Sequence, residues 1–315
     1  MRRTEVELSH PPHPLIPSST TPPVAWLFPG QGSQQVGMGR DLYQADAAVR
    51  GLFAEASERS GLDIATLCFE GPAEALQLTE HAQPCLLTVS VAYGQALAAR
   101  GLAPACVAGH SLGEYSALVV AGVLAFGDAV HAVRRRGQLM ASTGAGAMAA
   151  VLGLDDSLVE QACADAGEVM PANYNAPRQV VISGTAEAVA RASAIARALG
   201  ATRVAPLNVS GPFHSSLMRP VAAELAGVLG GLHFSDARMP VVCNVDGAIH
   251  QKADDFPPLL VRQVAEPVRW SAVMRCLLAA GVGRCVEVGP GRVLSGLMRQ
   301  TDRKVEMSNA AALLS

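Results

Sequence analysis

The sequence lacks a long hydrophobic run, a cysteine pair motif and a marked excess of charge of either sign. Its longest apolar stretch, Ala117–Phe126, is about half as long as a membrane-spanning helix. The seven cysteines form no C-x-x-C pair and no Cys/His spacing typical of a metal site, which indicates reduced thiols and a cytoplasmic location. Lys and Arg total 24 against 27 Asp and Glu, so no strong field favours nucleic acid or an anionic membrane.

The chain also has few aromatic and few charged residues. Aromatic residues make up 4% and charged residues 16% of the 315 positions, whereas 50% are hydrophobic and glycine is plentiful. Such a composition is typical of a compact α/β enzyme, and the length allows one large domain or two smaller ones. No apolar segment follows Arg2 and Arg3, so no secretory signal peptide is predicted.

Three kinds of segment follow one another along the chain. Residues 1–23 hold six prolines and predict a disordered tail. Residues 146–210 alternate as strand, helix, two strands, helix and strand, the order of a ferredoxin-like subdomain. We therefore predict an α/β fold in which residues 24–145 and 211–315 form an α/β-hydrolase-like subdomain with a parallel sheet, interrupted by this small subdomain.

The predicted elements have the following bounds. Strands are expected at Val24–Phe28, Cys106–Ala108, Met148–Leu152, Val169–Asn173, Gln179–Ser183, Arg203–Val209, Val241–Asn244 and Cys285–Val288. Helices are expected at residues 41–58 and 84–99 and at Gly113–Val123, Asp155–Ala166, Ala186–Leu199 and Ala272–Ala280.

The segment Gly109-His110-Ser111-Leu112-Gly113 matches the G-x-S-x-G pattern of a nucleophile elbow. It follows a predicted strand and opens a predicted helix, which is the context that the pattern requires. The turn would expose the Ser111 hydroxyl and direct the Leu112 N–H towards a developing oxyanion. The alternative is an ordinary loop serine flanked by packing glycines.

A serine nucleophile requires a base, and His214 is the candidate among eight histidines. It lies in a turn downstream of Ser111, whereas the His110 side chain is expected to point away from the serine. No Asp or Glu stands out as a third member of a triad. Gln31, in a glycine-rich turn after the first strand, is favoured as a second oxyanion donor, because neither G-x-G-x-x-G nor G-K-[ST] occurs.

Six segments resemble one known family in their order along the chain: Phe28-Pro29-Gly30-Gln31-Gly32-Ser33-Gln34, Gly109-His110-Ser111-Leu112-Gly113-Glu114-Tyr115, Arg136-Gly137-Gln138-Leu139-Met140, Asn175-Ala176-Pro177, Gly211-Pro212-Phe213-His214-Ser215 and Glu287-Val288-Gly289-Pro290-Gly291. This family is the malonyl-CoA:acyl-carrier-protein transacylases, which include acyltransferase domains of polyketide synthases. The resemblance spans roughly residues 24–300, so only the tail and the last dozen residues are expected to fall outside it.

The resemblance implies a catalytic pair without a carboxylate. Ser111 matches the family's nucleophile and His214 its base. A backbone carbonyl, matched by Gln263, orients the imidazole in place of an acid. Asn175 matches an asparagine that supports the site.

The resemblance also implies how the acyl group is held. The oxyanion is expected to accept from the backbone N–H groups of Gln31 and Leu112, and Arg136 is expected to bind the free malonyl carboxylate through its planar fork. From the residues alone, Arg134-Arg135-Arg136 instead reads as a solvated basic face of a helix. The bulky Phe213 is expected to disfavour an α-methyl group.

The implied activity is transfer of malonyl from malonyl-CoA to the phosphopantetheine thiol of an acyl carrier protein, for fatty-acid or polyketide biosynthesis. No metal or redox cofactor is expected, and a monomer is expected. Arg178 and Arg191 are candidates for a basic patch that contacts the acidic carrier protein. Two alternatives are a hydrolase of the same fold that releases acyl groups from carrier proteins, and a non-catalytic partner of a carrier protein.

Overall fold

Two β-sheets organise the computed structural model, which describes residues 22–144, 146–209 and 211–315. The predicted tail lies outside the described residues except for Pro22 and Pro23. The strands are β1 Val24–Phe28, β2 Cys106–Gly109, β3 Ala147–Leu152, β4 Val169–Ala176, β5 Gln179–Gly184, β6 Arg203–Pro206, β7 Val241–Val242, β8 Ile249–His250, β9 Arg284–Glu287 and β10 Glu306–Asn309.

Helices connect and cover these strands. They are α1 Arg40–Ala45, α2 Ala47–Ser60, α3 Ile64–Phe69, α4 Ala73–Gln77, α5 Thr79–Ala99, α6 Gly113–Val120, α7 Phe126–Ala141, α8 Asp156–Ala166, α9 Ala186–Ala198, α10 Arg219–Gly230, α11 Phe256–Ala265, α12 Trp270–Ala279, α13 Val293–Thr301 and α14 Ala310–Leu314. Short 3-10 turns span Ser216–Met218 and Ala253–Asp255. Within the described ranges, no helix combines the length and the apolar character needed to cross a membrane.

The larger sheet has the strand order β10-β9-β1-β2-β7-β8. All neighbouring pairs are parallel except β7 with β8, which is antiparallel at one edge. The central strands β1 and β2 are apolar runs that are buried on both faces, as expected for parallel strands covered by helices. Their carboxyl ends lie side by side, so the loops that follow Phe28 and Gly109 meet at one edge of the sheet.

The smaller sheet has the order β4-β5-β3-β6 and is antiparallel throughout. Together with α8 and α9 it gives the predicted βαββαβ order, and it has its own apolar core, which includes Val151, Val159 and Ile182. Its strand β4 is joined to the loop before α12, because the Tyr174 N–H donates to the Val268 carbonyl at 2.9 Å. The prediction of an α/β fold with a mainly parallel sheet and an inserted antiparallel unit is confirmed.

Several predicted bounds were wrong. The single helix expected at 41–58 is two helices, because Asp46 is extended and its carboxylate caps α2 by accepting from the Ala48 N–H at 2.8 Å. The helix expected to end at Val123 ends at Val120, before the left-handed Gly122. Strand β6 ends at Pro206 rather than at 209, and β7 comprises only two residues. The predicted elements are in the right places but several have wrong ends, and no bounds were predicted for α3, α4, α7, α10, α11, α13, α14, β8 and β10.

Candidate active site

Ser111 occupies a sharp turn between β2 and α6, and its φ angle of 51° lies in the left-handed region. Two glycines make this turn possible. A Cβ on Gly109 would lie 1.9 Å from the Gly113 carbonyl, and a Cβ on Gly113 would lie 2.1 Å from the Phe28 carbonyl oxygen. The G-x-S-x-G spacing therefore brings the helix onto the ends of β1 and β2 with no room for side chains at either glycine.

His214 lies next to the Ser111 hydroxyl. Its Nε2 is 2.8 Å from Ser111 Oγ, and its Nδ1 is 2.7 Å from the backbone carbonyl oxygen of Gln263. Because a carbonyl only accepts, Nδ1 carries the hydrogen and Nε2 is free to accept the serine proton. Burial, with a smaller effect from the nearby Arg136 cation, lowers the pKa of His214 to about 3. The imidazole is therefore neutral, which is the state a base requires.

Arg136 is only 1% exposed, although its two neighbouring arginines face outward more. Its Nη1 donates to Gln83 Oε1 at 2.8 Å, and its Nη2 donates to Gln263 Oε1 at 3.0 Å and to Ser111 Oγ at 3.2 Å. Burial lowers the pKa of Arg136, yet it forms no ion pair with any Asp or Glu of the described residues. The interpretation of this segment as a solvated basic face is therefore wrong for Arg136.

Gln263 contributes more than the backbone carbonyl expected of it. Its side-chain oxygen accepts from Arg136, while its Nε2 donates to the Ser111 carbonyl at 3.0 Å. One residue of α11 thus fixes the base, the guanidinium and the nucleophile's backbone. These contacts are formed by residues far apart in the chain, so no local pattern could reveal them.

Sequence reasoning missed three further buried residues, which are Gln83, Glu114 and Asn244. Gln83 contacts Arg136, as described above. Asn244 Oδ1 accepts from the Ser111 N–H at 2.6 Å, and Glu114 Oε2 accepts from the Asn244 N–H at 2.8 Å. The available signal was positional: Asn244 follows β7, which pairs with β2, so both carboxyl ends lie at the same edge of the sheet.

A cavity of about 390 Å³ opens in front of Ser111 between the two sheets. We call one side the nucleophile wall; it contains Gln31, Ser111, Leu112, Arg136 and His214. We call the opposite side the antiparallel wall; it contains Met148, Asn173, Leu207, Asn208 and Val209. Phe213 also lines the cavity. Leu112 directly precedes α6, so its N–H belongs to a helix N-terminus that attracts negative charge.

Asn175 lies one layer behind the cavity lining. Its Oδ1 accepts from His110 Nε2 at 2.8 Å, and the His110 ring packs against Trp270 at a centroid distance of 5.3 Å. Within the described ranges, this bond from His110 is the only side-chain hydrogen bond of Asn175. Asn175 therefore connects β4 to the turn that carries Ser111, without contacting the catalytic pair itself.

Neither predicted docking arginine lines the cavity. Arg178 forms an ion pair with Asp155 at 3.2 Å, and Arg191 donates to the Ala166 carbonyl at 2.8 Å. Their proposed role in binding a carrier protein stays a prediction. No group of three or more His, Cys, Asp or Glu side chains suited to a metal ion occurs in the part of the chain that the structure describes.

A neutral Ser–His pair in a cavity, with a helix N-terminus on one side, is an arrangement typical of acyl transfer. Residues 25–315 match the family described as "Acyl transferase domain", and the chain belongs to this family. The match continues through β10 and α14, so the expectation that the last dozen residues fall outside the family was wrong.

Individual relatives define the group more closely. The malonyl CoA-acyl carrier protein transacylase of Escherichia coli strain K12 is 48% identical over 296 residues, covering 92% of this chain and 95% of the relative. Its counterpart in Bacillus subtilis is 47% identical over 290 residues, covering 90% of this chain and 92% of the relative. A solved malonyl-transacylase in complex with its holo type II PKS acyl-carrier protein superposes with a TM-score of 0.87 at 45% identity. The match covers 91% of this chain and 94% of the solved chain. Within the family, this chain thus belongs with the malonyl-CoA:acyl-carrier-protein transacylases.

Proposed function

We propose that this chain transfers a malonyl group from malonyl-CoA to the phosphopantetheine thiol of an acyl carrier protein, through a malonyl ester on Ser111. The observation that carries the proposal is Arg136, a buried cation 3.2 Å from the Ser111 hydroxyl that forms no ion pair with a carboxylate of the described residues. A buried unpaired charge is unfavourable unless a ligand of opposite charge completes the site. An acyl group with a free carboxylate supplies that charge, and a neutral acyl group does not.

In the first half-reaction, His214 Nε2 accepts the proton of Ser111 Oγ as this oxygen attacks the thioester carbonyl carbon. The Gln31 and Leu112 N–H groups donate to the resulting oxyanion. The C–S bond then breaks, and the protonated His214 returns its proton to the departing CoA sulfur. Gln263 holds the imidazole throughout by accepting from Nδ1–H.

In the second half-reaction, the phosphopantetheine thiol enters the site that CoA has left. His214 accepts the thiol proton while the sulfur attacks the malonyl-serine carbonyl. The C–O bond to Ser111 breaks, and the serine oxygen regains its proton from His214. The enzyme thereby returns to its starting state in a two-step exchange that consumes no cofactor.

The choice of malonyl over other acyl groups is assigned to Arg136 and Phe213. Arg136 selects for the carboxylate, which also distinguishes transfer of malonyl from hydrolysis of neutral acyl groups. The ring of Phe213 lines the cavity and is 6% exposed, so it fills space that an α-methyl group would need. We further propose a monomer that acts in the cytoplasm, in fatty-acid or polyketide biosynthesis.

The test is trapping of the acyl-enzyme. After incubation with radiolabelled malonyl-CoA, wild-type protein should carry label on the peptide that contains Ser111, and Ser111→Ala should carry none. Ser157→Ala, at an exposed position on α8, is the matched control and should label like the wild type. Label that persists in Ser111→Ala would refute the proposed nucleophile. The second half-reaction is tested by adding holo carrier protein, which should remove the label from the wild-type enzyme.

A further inference from the structure

Asn244 is a fully buried residue that spans the nucleophile turn. Its Oδ1 accepts from the Ser111 N–H at 2.6 Å, while its Nδ2 donates to the Gly109 carbonyl oxygen at 2.7 Å. The two residues it contacts lie on either side of His110. Asn244 therefore fixes the chain as it enters the turn and at the nucleophile itself.

Glu114 holds Asn244 in place. Glu114 lies in the first turn of α6, is fully buried, and accepts from the Asn244 N–H through Oε2 at 2.8 Å. The contacts therefore run from the Ser111 turn to Asn244 and back to the helix that begins two residues after Ser111. This closed set of hydrogen bonds has no part in the acyl-transfer steps derived above.

The backbone of Ser111 explains why such support is needed. A φ of 51° is unfavourable for a residue with a side chain and persists only where surrounding contacts hold it. If the turn relaxed, Oγ would move away from His214 Nε2 and from the cavity. The Ser111 carbonyl oxygen accepts from the Glu114 N–H at 3.1 Å and from Gln263 Nε2 at 3.0 Å. Among the described residues, the Ser111 N–H is held by Asn244 alone.

We propose that Asn244 and Glu114 are positioning residues that hold Ser111 in its reactive backbone conformation. The inference rests on the proposed role of Ser111 as nucleophile. It has a second consequence: because Asn244 occupies the Ser111 N–H, that N–H does not serve the oxyanion, which leaves this task to Gln31 and Leu112.

The carboxyl of Glu114 performs this task in either protonation state. Burial raises the pKa of Glu114 to about 7, against the opposing effect of the Asn244 N–H. Both a carboxylate and a carboxylic acid present an oxygen that accepts from the Asn244 N–H. Glutamine presents such an oxygen as well, so Glu114→Gln should preserve the contact, whereas Glu114→Leu should abolish it.

The experiment measures kcat and KM for malonyl transfer, together with the rate at which phenylmethanesulfonyl fluoride inactivates the enzyme. This sulfonyl fluoride reports on Ser111 without requiring Arg136. In Asn244→Ala and Glu114→Leu, kcat and the inactivation rate should both fall about 100-fold, while KM changes less than about threefold. Glu114→Gln should stay within about threefold of wild type in all three measurements.

Asn309→Ala is the matched control for loss of stability alone. Asn309 also donates to a glycine carbonyl, Gly291 O at 2.9 Å, and accepts from a backbone N–H, that of Ala311 at 2.9 Å, but it lies outside the cavity. It should lower the melting temperature and leave kcat and the inactivation rate of the folded protein unchanged. If Asn244→Ala fails to fold, Asn244→Asp takes its place. Aspartate keeps the shape of asparagine and an oxygen that accepts from the Ser111 N–H, but it cannot donate to the Gly109 carbonyl oxygen. The kcat of Asn244→Asp should fall about tenfold or more.

The outcomes separate the two proposals. A wild-type kcat in folded Asn244→Ala would overturn the positioning role and leave the acyl-transfer proposal intact. If the alanine variant does not fold, a wild-type kcat in folded Asn244→Asp would do the same. Equal losses in Glu114→Gln and Glu114→Leu would overturn the role of Glu114 as an acceptor. Labelling that persists in Ser111→Ala would instead refute the nucleophile on which both proposals depend.

Discussion

The two walls of the cavity differ in how their side chains are held. In the nucleophile wall, Ser111, Arg136 and His214 are linked to one another and to Gln263 by hydrogen bonds of 2.7–3.2 Å. In the antiparallel wall, Met148 and Leu207 present apolar side chains, and Leu207 is 38% exposed. One wall is a polar hydrogen-bond network. The other is mainly apolar, and its Met148 and Val209 pack with the core of the larger sheet.

This difference assigns separate tasks to the two sheets. Charge separation in the transition state requires donors and acceptors that are already in place, which the nucleophile wall provides. Under the proposed function, we expect the antiparallel wall to enclose the rest of the acyl group and the thiol arm, where shape matters more than charge. Substitutions in the nucleophile wall should therefore change kcat or acyl selectivity strongly, and substitutions opposite should change KM weakly.

The largest effect is expected for His214→Ala. Removal of the base should lower kcat about 10⁴-fold, because no other imidazole contacts Ser111 Oγ in the described part of the chain. Steady-state transfer assays measure this loss. His233→Ala, at an exposed histidine, should retain wild-type activity. A loss below tenfold in His214→Ala would contradict the assignment of the base.

The next effect concerns Arg136→Met, which removes the buried cation. The kcat/KM for malonyl-CoA should fall about 10²–10³-fold, whereas activity with acetyl-CoA should not decrease. Methionine removes a buried charge that forms no ion pair, but it also leaves the buried Gln83 and Gln263 side-chain oxygens without their Arg136 donor, so the net change in melting temperature should be small. Arg135→Met, at the exposed neighbour, is the control; a similar loss there would argue against recognition by Arg136.

A moderate effect is expected in the pH dependence. The free enzyme holds the pKa of His214 at about 3, first through burial and second through Arg136. A bound malonyl carboxylate offsets the Arg136 charge, so the pKa of His214 should rise in the complex. The acid limb of kcat should therefore lie at higher pH than the acid limb of kcat/KM, and rate profiles extended down to about pH 3 would measure the difference.

The lowered pKa of His214 also makes the folded protein less stable at acid pH. In the unfolded chain His214 titrates near 6.5, so between about pH 3 and 6.5 the unfolded state binds more protons than the folded state. This contribution to the free energy of unfolding is present above pH 6.5 and is lost as the pH falls towards 3.

The kinetic profiles test the same pKa. An acid limb of kcat/KM near pH 6.5 in stably folded enzyme would contradict the lowered pKa of His214.

The smallest effect is expected for Leu207→Ala in the antiparallel wall. Loss of one partly exposed apolar contact should raise KM about two- to tenfold and leave kcat unchanged. Steady-state kinetics with malonyl-CoA and with holo carrier protein would reveal which substrate contacts this wall. A large loss of kcat would show that the antiparallel wall also takes part in the chemistry.

Much of the site could be predicted because its parts carry local signals. Ser111 lies in a strand–turn–helix pattern, and the order of the motifs pointed to His214 and Arg136. The burial of Arg136 also had a local signal: on α7 it lies at helical spacing from the buried Ala132, Val133 and Met140. Its basic neighbours concealed this periodicity.

The remainder could not be predicted because it depends on contacts between distant residues. Asn244 lies 133 positions after Ser111, and Gln263 lies 127 positions after Arg136. Such contacts exist only once parallel strands have brought their carboxyl ends together. The motif that begins at Glu287 has a structural explanation of the same kind, since its carboxylate accepts from the Leu294 and Ser295 N–H groups and caps α13.

The left-handed backbone of Ser111 also limits which residues evolution could place there. A β-branched side chain is strongly disfavoured at a positive φ, so threonine would strain the turn even though it carries the same hydroxyl group. Cysteine is unbranched at Cβ and meets no such barrier. Among the common nucleophilic side chains with a hydroxyl or thiol on Cβ, this turn therefore admits serine and cysteine and rejects threonine.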